Sequence, residues 1–172
     1  MKRSIFLICL LTLITLACVD SAQPTPGQGA TACIPAGAQT QVGLVTHVVD
    51  GDTIQVKIDG QEYRLRYIGI NTPETKPPAE YFGPEATAKN RALVDGKTVT
   101  LAKDVSETDK YGRLLRYVIV GDVENGAFVN YELVRQGYAN AGTYPPDVAC
   151  EAAFRQAEGM ARQEQLGLWA PR

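Results

Sequence analysis

Four clusters of polar residues contain the side chains of this sequence that could do chemistry. They are Asp50–Thr53, Arg66, Asn71–Glu74 and Asp109–Arg113. The first and third clusters offer carboxylate, amide and backbone oxygens, which suit Ca²⁺ because this ion takes several hard oxygen ligands in a tolerant geometry. A glutamate beside them can orient or deprotonate water, and two arginines can clamp a phosphate. The combination is what metal-assisted cleavage of a phosphodiester needs, since the cations offset the charge that builds on the phosphoryl oxygens.

Each cluster has an ordinary structural interpretation when it is taken alone. Asp-Gly-Asp is common in turns. Thr72 could cap a helix that begins at Pro73, with Glu74 in its first turn. A strand arginine such as Arg66 usually lies on the surface, and residues 109–113 could form a hydrophilic loop. Only the occurrence of all four clusters in one chain favours a catalytic site.

The elements that must position these clusters are mainly strands. Alternating apolar and β-branched residues predict strands over residues 42–49, 53–58, 61–70, 98–103 and 114–120. Helices are predicted over residues 85–94, 130–136 and 148–165. Five short strands with helices inserted late predict a mainly β fold with helices, of the α+β class. A small, partly open barrel of the OB type is one candidate among several.

Size and composition exclude a wholly disordered chain, a collagen and a multi-span membrane protein. The chain has 172 residues, 45% hydrophobic and 21% charged, which is typical of one soluble globular domain. Its net charge is −2, and it would be −4 without the first 17 residues, because these carry Lys2 and Arg3 and no acid. A protein that holds nucleic acid through a general basic surface should have the opposite charge. Any action on nucleic acid must therefore come from a local site.

The N-terminus is predicted to direct export. Residues 1–17 have a cationic start and an apolar run, as in a secretory signal peptide. Thr15–Cys18 resembles the cleavage box of bacterial lipoproteins, which implies that Cys18 becomes the lipidated first residue of the mature chain. We therefore expect a cell-envelope lipoprotein or a secreted protein. Residues 18–40 contain few large apolar residues and are expected to form a flexible tether to a domain over residues 41–172.

Two cysteines remain for the mature domain. Cys9 lies in the predicted signal peptide and Cys18 would carry lipid, which leaves Cys33 and Cys150. Disulfides persist outside the cytoplasm, so one bridge between these two residues is predicted. Two unpaired thiols are the alternative.

The clusters also carry a resemblance to a known family. Residues 45–169 resemble the staphylococcal-type thermonucleases in six motifs that occur in the same order. The motifs are VVDGDT (48–53), YRLRYIGINTPET (63–75), FGPEA (82–86), TDKYGR (108–113), NYELVRQGYA (130–139) and LGLW (166–169). The resemblance implies a five-stranded OB barrel with three helices. It also implies a monomeric, Ca²⁺-dependent nuclease that cuts DNA, single- or double-stranded, and RNA at the 5′ side of the phosphodiester and leaves 3′-phosphate ends.

The resemblance assigns roles to the matching positions. Asp52 corresponds to the principal Ca²⁺ carboxylate, and Thr72 to a residue that ligates through its backbone carbonyl. Arg66, Glu74 and Arg113 correspond to the catalytic side chains. Glu74 would orient or deprotonate water, and the two arginines would clamp the transition state.

Further positions are implied to bind metal or substrate. Asp50 would add a negative charge near the metal, and Lys110 and Tyr111 would hold the terminal phosphate of a nucleotide. Tyr144 is the candidate for stacking on a base. Asn71 departs from the family, in which an aspartate ligates Ca²⁺ at this position. An amide oxygen can still ligate, but the lost charge should weaken Ca²⁺ binding.

Two other functions stay open beside the nuclease. One is a non-catalytic OB-fold module that binds nucleic acid or a protein partner. The other is an envelope lipoprotein in which the fold is inherited and catalysis is impaired, which Asn71 would favour. The single histidine, His47, lies in a β-branched segment and is expected to be structural.

Overall fold

A computed structural model describes residues 29–171 as a β-barrel with three helices packed against it. The strands are β1 (Thr40–Val48), β2 (Thr53–Ile58), β3 (Gln61–Tyr67), β4 (Ile70–Asn71), β5 (Thr98–Ala102), β6 (Leu114–Val120), β7 (Ala127–Phe128) and β8 (Asn140–Ala141). The helices are α1 (Gly83–Val94), α2 (Val129–Arg135) and α3 (Glu151–Gln163), with short 3₁₀ turns at Ala30–Cys33 and Gly167–Trp169.

Five strands close into the barrel. The antiparallel order is β3-β2-β1-β5-β6, and β3 then pairs with β6 in parallel, with Leu65 opposite Leu114. Each barrel strand thus has a neighbour on both sides, which removes the exposed edges of an open sheet. This architecture confirms the five-stranded OB barrel with three helices and the α+β class.

The barrel interior is filled by the inward side chains of the alternating strands. On β3, Leu65 and Tyr67 are buried in the barrel, while Arg64 and Arg66 lie on the opposite face. One end of the core is closed by an aromatic cluster of Tyr117, Phe128 and Phe154, with ring centroids 5.6–6.2 Å apart. Phe154 belongs to α3, so this cluster fixes the last helix on the barrel.

The third predicted strand was too long. Residues 61–70 were expected to be continuous, but β3 ends at Tyr67 and the chain turns through Gly69. Gly69 has a φ of +74°, and a Cβ there would lie 2.6 Å from the Phe154 ring. The turn therefore requires glycine, and it redirects Ile70–Asn71 to pair with β8.

The last predicted helix was also too long, because α3 begins at Glu151 rather than at residue 148. Two backbone N–H groups just before α3 donate hydrogen bonds to side chains and not to the carbonyl groups of a helix. Ala149 donates to the Asp104 carboxylate and Cys150 to the Tyr117 hydroxyl. The face buried by α3 is formed by Phe154, Ala157 and Ala161.

A disulfide joins Cys33 to Cys150, the pairing that the cysteine count favoured, with Cα atoms 4.9 Å apart. Ile34 beside it is buried in the core. The described part of the predicted tether, residues 29–40, therefore packs on the domain, because the bridge and Ile34 anchor it. The predicted signal peptide and Cys18 lie outside the described residues. Between residues 29 and 171, no helix has the length and apolar character needed to cross a membrane.

Candidate active site

The turn between β1 and β2 holds a buried carboxylate. Asp52 is 1% exposed, and its Oδ2 accepts hydrogen bonds from the Thr72 backbone N–H (2.8 Å) and hydroxyl (3.0 Å). Gly51 allows this approach, since a Cβ there would lie 2.6 Å from the Thr72 hydroxyl oxygen. The structure thus brings together Asp52 and Thr72, two of the three positions that the sequence assigned to one metal.

Arg66 lies against the same oxygens. Its guanidinium forms an ion pair with Oδ1 of Asp52 and donates to Oδ1 of Asn71 at 2.8 Å and to the Ile70 carbonyl at 3.2 Å. Burial, and then repulsion from Arg113, lower the pKa of Arg66 from its ordinary value. One guanidinium therefore connects both side chains that were predicted to ligate a metal.

The donor set around Asp52 fits a hard cation. The Asp52 carboxylate and the Asn71 amide oxygen meet at Arg66, and together with the Thr72 backbone carbonyl that the resemblance assigns as a ligand they would suit Ca²⁺ better than zinc or copper. Within residues 29–171, no group of three or more His, Cys, Asp or Glu side chains is placed to hold a metal. A metal here would depend on neutral oxygens and water in addition to Asp52.

Glu74 presents its carboxylate from a well-fixed backbone. Its N–H donates to Oε2 of Glu80 (2.9 Å), and its carbonyl accepts from the Glu80 N–H (2.8 Å). The side chain itself is exposed and lines a cleft beside Arg66. This arrangement leaves the carboxylate accessible to water and substrate.

Arg113 is held at the end of the loop that precedes β6. Its Nε and one terminal nitrogen each lie 2.6 Å from Oδ2 of Asp109. Burial opposes ionisation of Asp109, but hydrogen bonds from Arg113 and the Tyr111 N–H outweigh burial and lower the pKa of Asp109. An ionised Asp109 therefore fixes the loop and the arginine together.

Six of the predicted residues line one cleft of about 610 Å³. Its walls include Asp50, Arg66, Asn71, Glu74, Arg113 and Tyr144. Asp52 and Thr72 lie buried beneath this wall. The parallel pairing of β3 with β6 creates the convergence, because it places the start of β6 beside the end of β3.

Lys110 and Tyr111 lie apart from this cleft. The Lys110 ammonium is 5.0 Å from the centroid of the Tyr111 ring, and that ring is 72% exposed. Tyr111 lines a neighbouring cavity of about 420 Å³, whose wall Arg113 shares with the cleft. His47 is exposed on β1 and does not line the cleft, in keeping with a structural role.

Sequence analysis missed two residues at the cleft. Arg64 lines it from β3, and the two-residue period of a strand could have placed it beside Arg66. Asp147 is 5% exposed, and its Oδ1 accepts from the N–H groups of Val105 (3.0 Å) and Ser106 (2.8 Å). No local pattern indicated this contact, because the two segments are far apart in sequence.

Comparison with known proteins agrees with the fold. The family described as Staphylococcal nuclease homologue matches residues 64–171. The thermonuclease of Staphylococcus intermedius is 40% identical over 129 residues, covering 73% of this chain and 74% of the relative. The thermonuclease of Staphylococcus hyicus is 36% identical over 136 residues (77% and 78%), and the Bacillus subtilis endonuclease YncB is 36% identical over 127 residues (71% and 58%). These similarities confirm the resemblance carried by the six motifs, and the chain belongs to the staphylococcal nuclease family.

Proposed function

We propose that this protein is a Ca²⁺-dependent nuclease that hydrolyses DNA and RNA at the 5′ side of the phosphodiester and leaves 3′-phosphate ends. One observation carries the proposal. Arg66, Glu74 and Arg113 line the same cleft, above the oxygen donors of Asp52 and Asn71. The family relationship supports the nuclease, and the donor set supports the ion.

In the proposed reaction, each catalytic side chain has a separate role. Glu74 orients a water molecule and accepts its proton as the water oxygen bonds to phosphorus. The bond from phosphorus to the 5′ oxygen breaks, this oxygen takes a proton from solvent water as it leaves, and the phosphate stays on the 3′ oxygen. Arg66 and Arg113 hold the non-bridging oxygens while charge builds on them. Asp52, Asn71 and the Thr72 carbonyl would hold Ca²⁺, which would supply Lewis-acid neutralisation of that charge.

Arg66 has to change partners during this reaction. In the structure its guanidinium is engaged by Asp52, Asn71 and the Ile70 carbonyl. Transfer of the two side-chain oxygens to a cation would release the guanidinium for the phosphate. Arg66 would thus exchange the charged partner Asp52 for a charged phosphate, which limits the cost of moving a buried cation.

We further propose that the enzyme works outside the cytoplasm, as a monomer. The signal-like residues 1–17 and the lipoprotein-like box ending at Cys18 support export and a lipid anchor in the membrane. The Cys33–Cys150 disulfide is consistent with an oxidising compartment.

A catalytically impaired binding protein is the second candidate. Asn71 favours it, because one negative charge is absent from the donor set. In that case the OB barrel would bind nucleic acid or a protein at the envelope without cleaving it.

The decisive experiment follows cleavage of denatured DNA by the chain from Val19 onward, which retains every described residue and both bridged cysteines. We expect cleavage with calcium, none with EGTA, and a loss of at least about a hundredfold in Glu74→Gln. Glu85→Gln is the matched control, because Glu85 is exposed on α1 and does not line the cleft. Equal activity of Glu74→Gln and the control would refute the role of Glu74. A folded protein inactive at millimolar calcium would favour the impaired binding protein.

A further inference from the structure

Arg64 and Arg66 form a pair of cations on one face of β3. They are two residues apart, so their side chains point to the same side of the strand, about 6.6 Å apart along it. Leu65 and Tyr67 occupy the opposite face and are buried in the barrel. Both arginines line the candidate active cleft.

Arg64 differs from the two neighbouring arginines in having no charged partner in the described part of the chain. Arg66 is paired with Asp52, and Arg113 with Asp109. Among residues 29–171, Arg64 makes no ion pair and no side-chain hydrogen bond, and its side chain is exposed. An unpaired guanidinium beside two others gains no stability from its neighbours. Its place in the cleft wall is therefore better explained by an anionic ligand.

The position of Arg64 links the cleft to the cavity next to it. Arg64 and Arg113 are the arginines that line both spaces. The second cavity is also lined by Tyr63 and by the exposed ring of Tyr111. A path that leads from the cleft past the exposed guanidinium of Arg64 to the half-buried Tyr63 and the exposed ring of Tyr111 suits single-stranded nucleic acid, whose bases can stack while its backbone contacts arginine.

We propose that Arg64 binds the phosphate next to the scissile one and so forms a second phosphate subsite. The substrate strand would cross from the cleft over Arg64 into the second cavity. The inference rests on the proposed nuclease function, since it takes the Arg66–Glu74–Arg113 cleft as the place of cleavage. The subsite binds any sequence, because it recognises backbone charge and stacking surface.

The binding test is designed to stand apart from catalysis. Fluorescence anisotropy would measure the Kd of a short labelled oligothymidylate for the Val19-onward chain carrying Glu74→Gln, over a series of salt concentrations. Adding Arg64→Gln should weaken binding about threefold to tenfold. The slope of log K against log salt should fall by about 0.7, as expected for one lost phosphate contact on a single strand.

Two further variants control for charge and folding. Arg91→Gln removes an exposed arginine of α1 that lines neither space, and it should leave the salt slope unchanged. Arg64→Lys keeps the charge and should restore the slope. The subsite is refuted if Arg64→Gln binds as tightly as its parent with the same slope, or if Arg91→Gln loses as much as Arg64→Gln.

An activity test locates the contact along the substrate. In the otherwise unmodified chain, Arg64→Gln should raise KM for an oligonucleotide by a similar factor. Its effect on KM for a dinucleoside monophosphate, which has a single phosphate, should be several times smaller. Equal loss on both substrates would place Arg64 at the scissile phosphate and refute the second subsite. Absence of cleavage by the unsubstituted chain would refute the nuclease, while the binding test would still decide whether Arg64 contacts a phosphate.

Discussion

The Cys33–Cys150 disulfide should account for a large part of the stability of this domain. The bridge closes a loop with a sequence separation of 117 residues. In the chain-entropy model, a loop of this length raises the free energy of unfolding by about 5 kcal/mol, because it restricts the unfolded chain. Natural bridges often contribute somewhat less, so we expect reduction to cost roughly 3–5 kcal/mol.

Urea unfolding of the chain from Val19 onward, with and without a reductant, would measure this effect. With a urea dependence of about 2 kcal/mol/M, the midpoint should fall by roughly 2 M on reduction. Mass spectrometry would establish that the bridge is open. The matched control is Cys33→Ala/Cys150→Ala, whose midpoint should equal that of the reduced protein and should not respond to reductant.

Either of two results would refute this reasoning. Equal midpoints for the oxidised and reduced proteins would mean that the bridge does not constrain the unfolded chain. A response of the double variant to reductant would mean that the shift has another origin. Loss of activity on reduction under conditions where the fold persists would add a role for the bridge in positioning the cleft.

Three further predictions concern the supports of the site. Asp147→Ala should cost about 1–3 kcal/mol and lower activity, because it removes the acceptor of two N–H groups in the loop before Arg113. Asp147→Asn retains an acceptor oxygen, so urea unfolding and cleavage assays should find it close to wild type. Asp109 has a lowered pKa, so its contribution is present above the unfolded pKa of about 4 and is lost as pH falls through the lower folded value. The stability difference between wild type and Asp109→Asn should therefore shrink in unfolding experiments below about pH 4, and a constant difference would contradict the pairing with Arg113. Gly69→Ala should lower the free energy of unfolding by about 2–4 kcal/mol, since a Cβ there combines a positive φ with a clash against Phe154. An unchanged thermal midpoint would contradict that packing.

Local physics made much of the barrel predictable. Apolar alternation is enough to place residues 53–58 on a strand, because one face of that strand must be buried. The same alternation missed the end of β3 at Tyr67, because the turn at Gly69 is imposed by Phe154 from α3. The last predicted helix also began too early in the chain. Asp104 and Tyr117 accept hydrogen bonds from the backbone N–H groups just before α3, so these groups are bound outside a helix.

The sequence by itself determined which functional groups the site contains, because a carboxylate, an amide and a guanidinium group keep their chemistry wherever they are placed. The motifs that contain Asp52, Arg66, Glu74 and Arg113 were therefore enough to predict an oxygen-rich phosphate site. Only the tertiary structure decided which of these groups meet. Closure of β3 against β6 places Arg113 at the same cleft as Arg66, and it leaves Arg64 in the wall with no ion pair to any residue between 29 and 171. Such contacts depend on segments far apart in the chain, and no local sequence pattern encodes the distance between them.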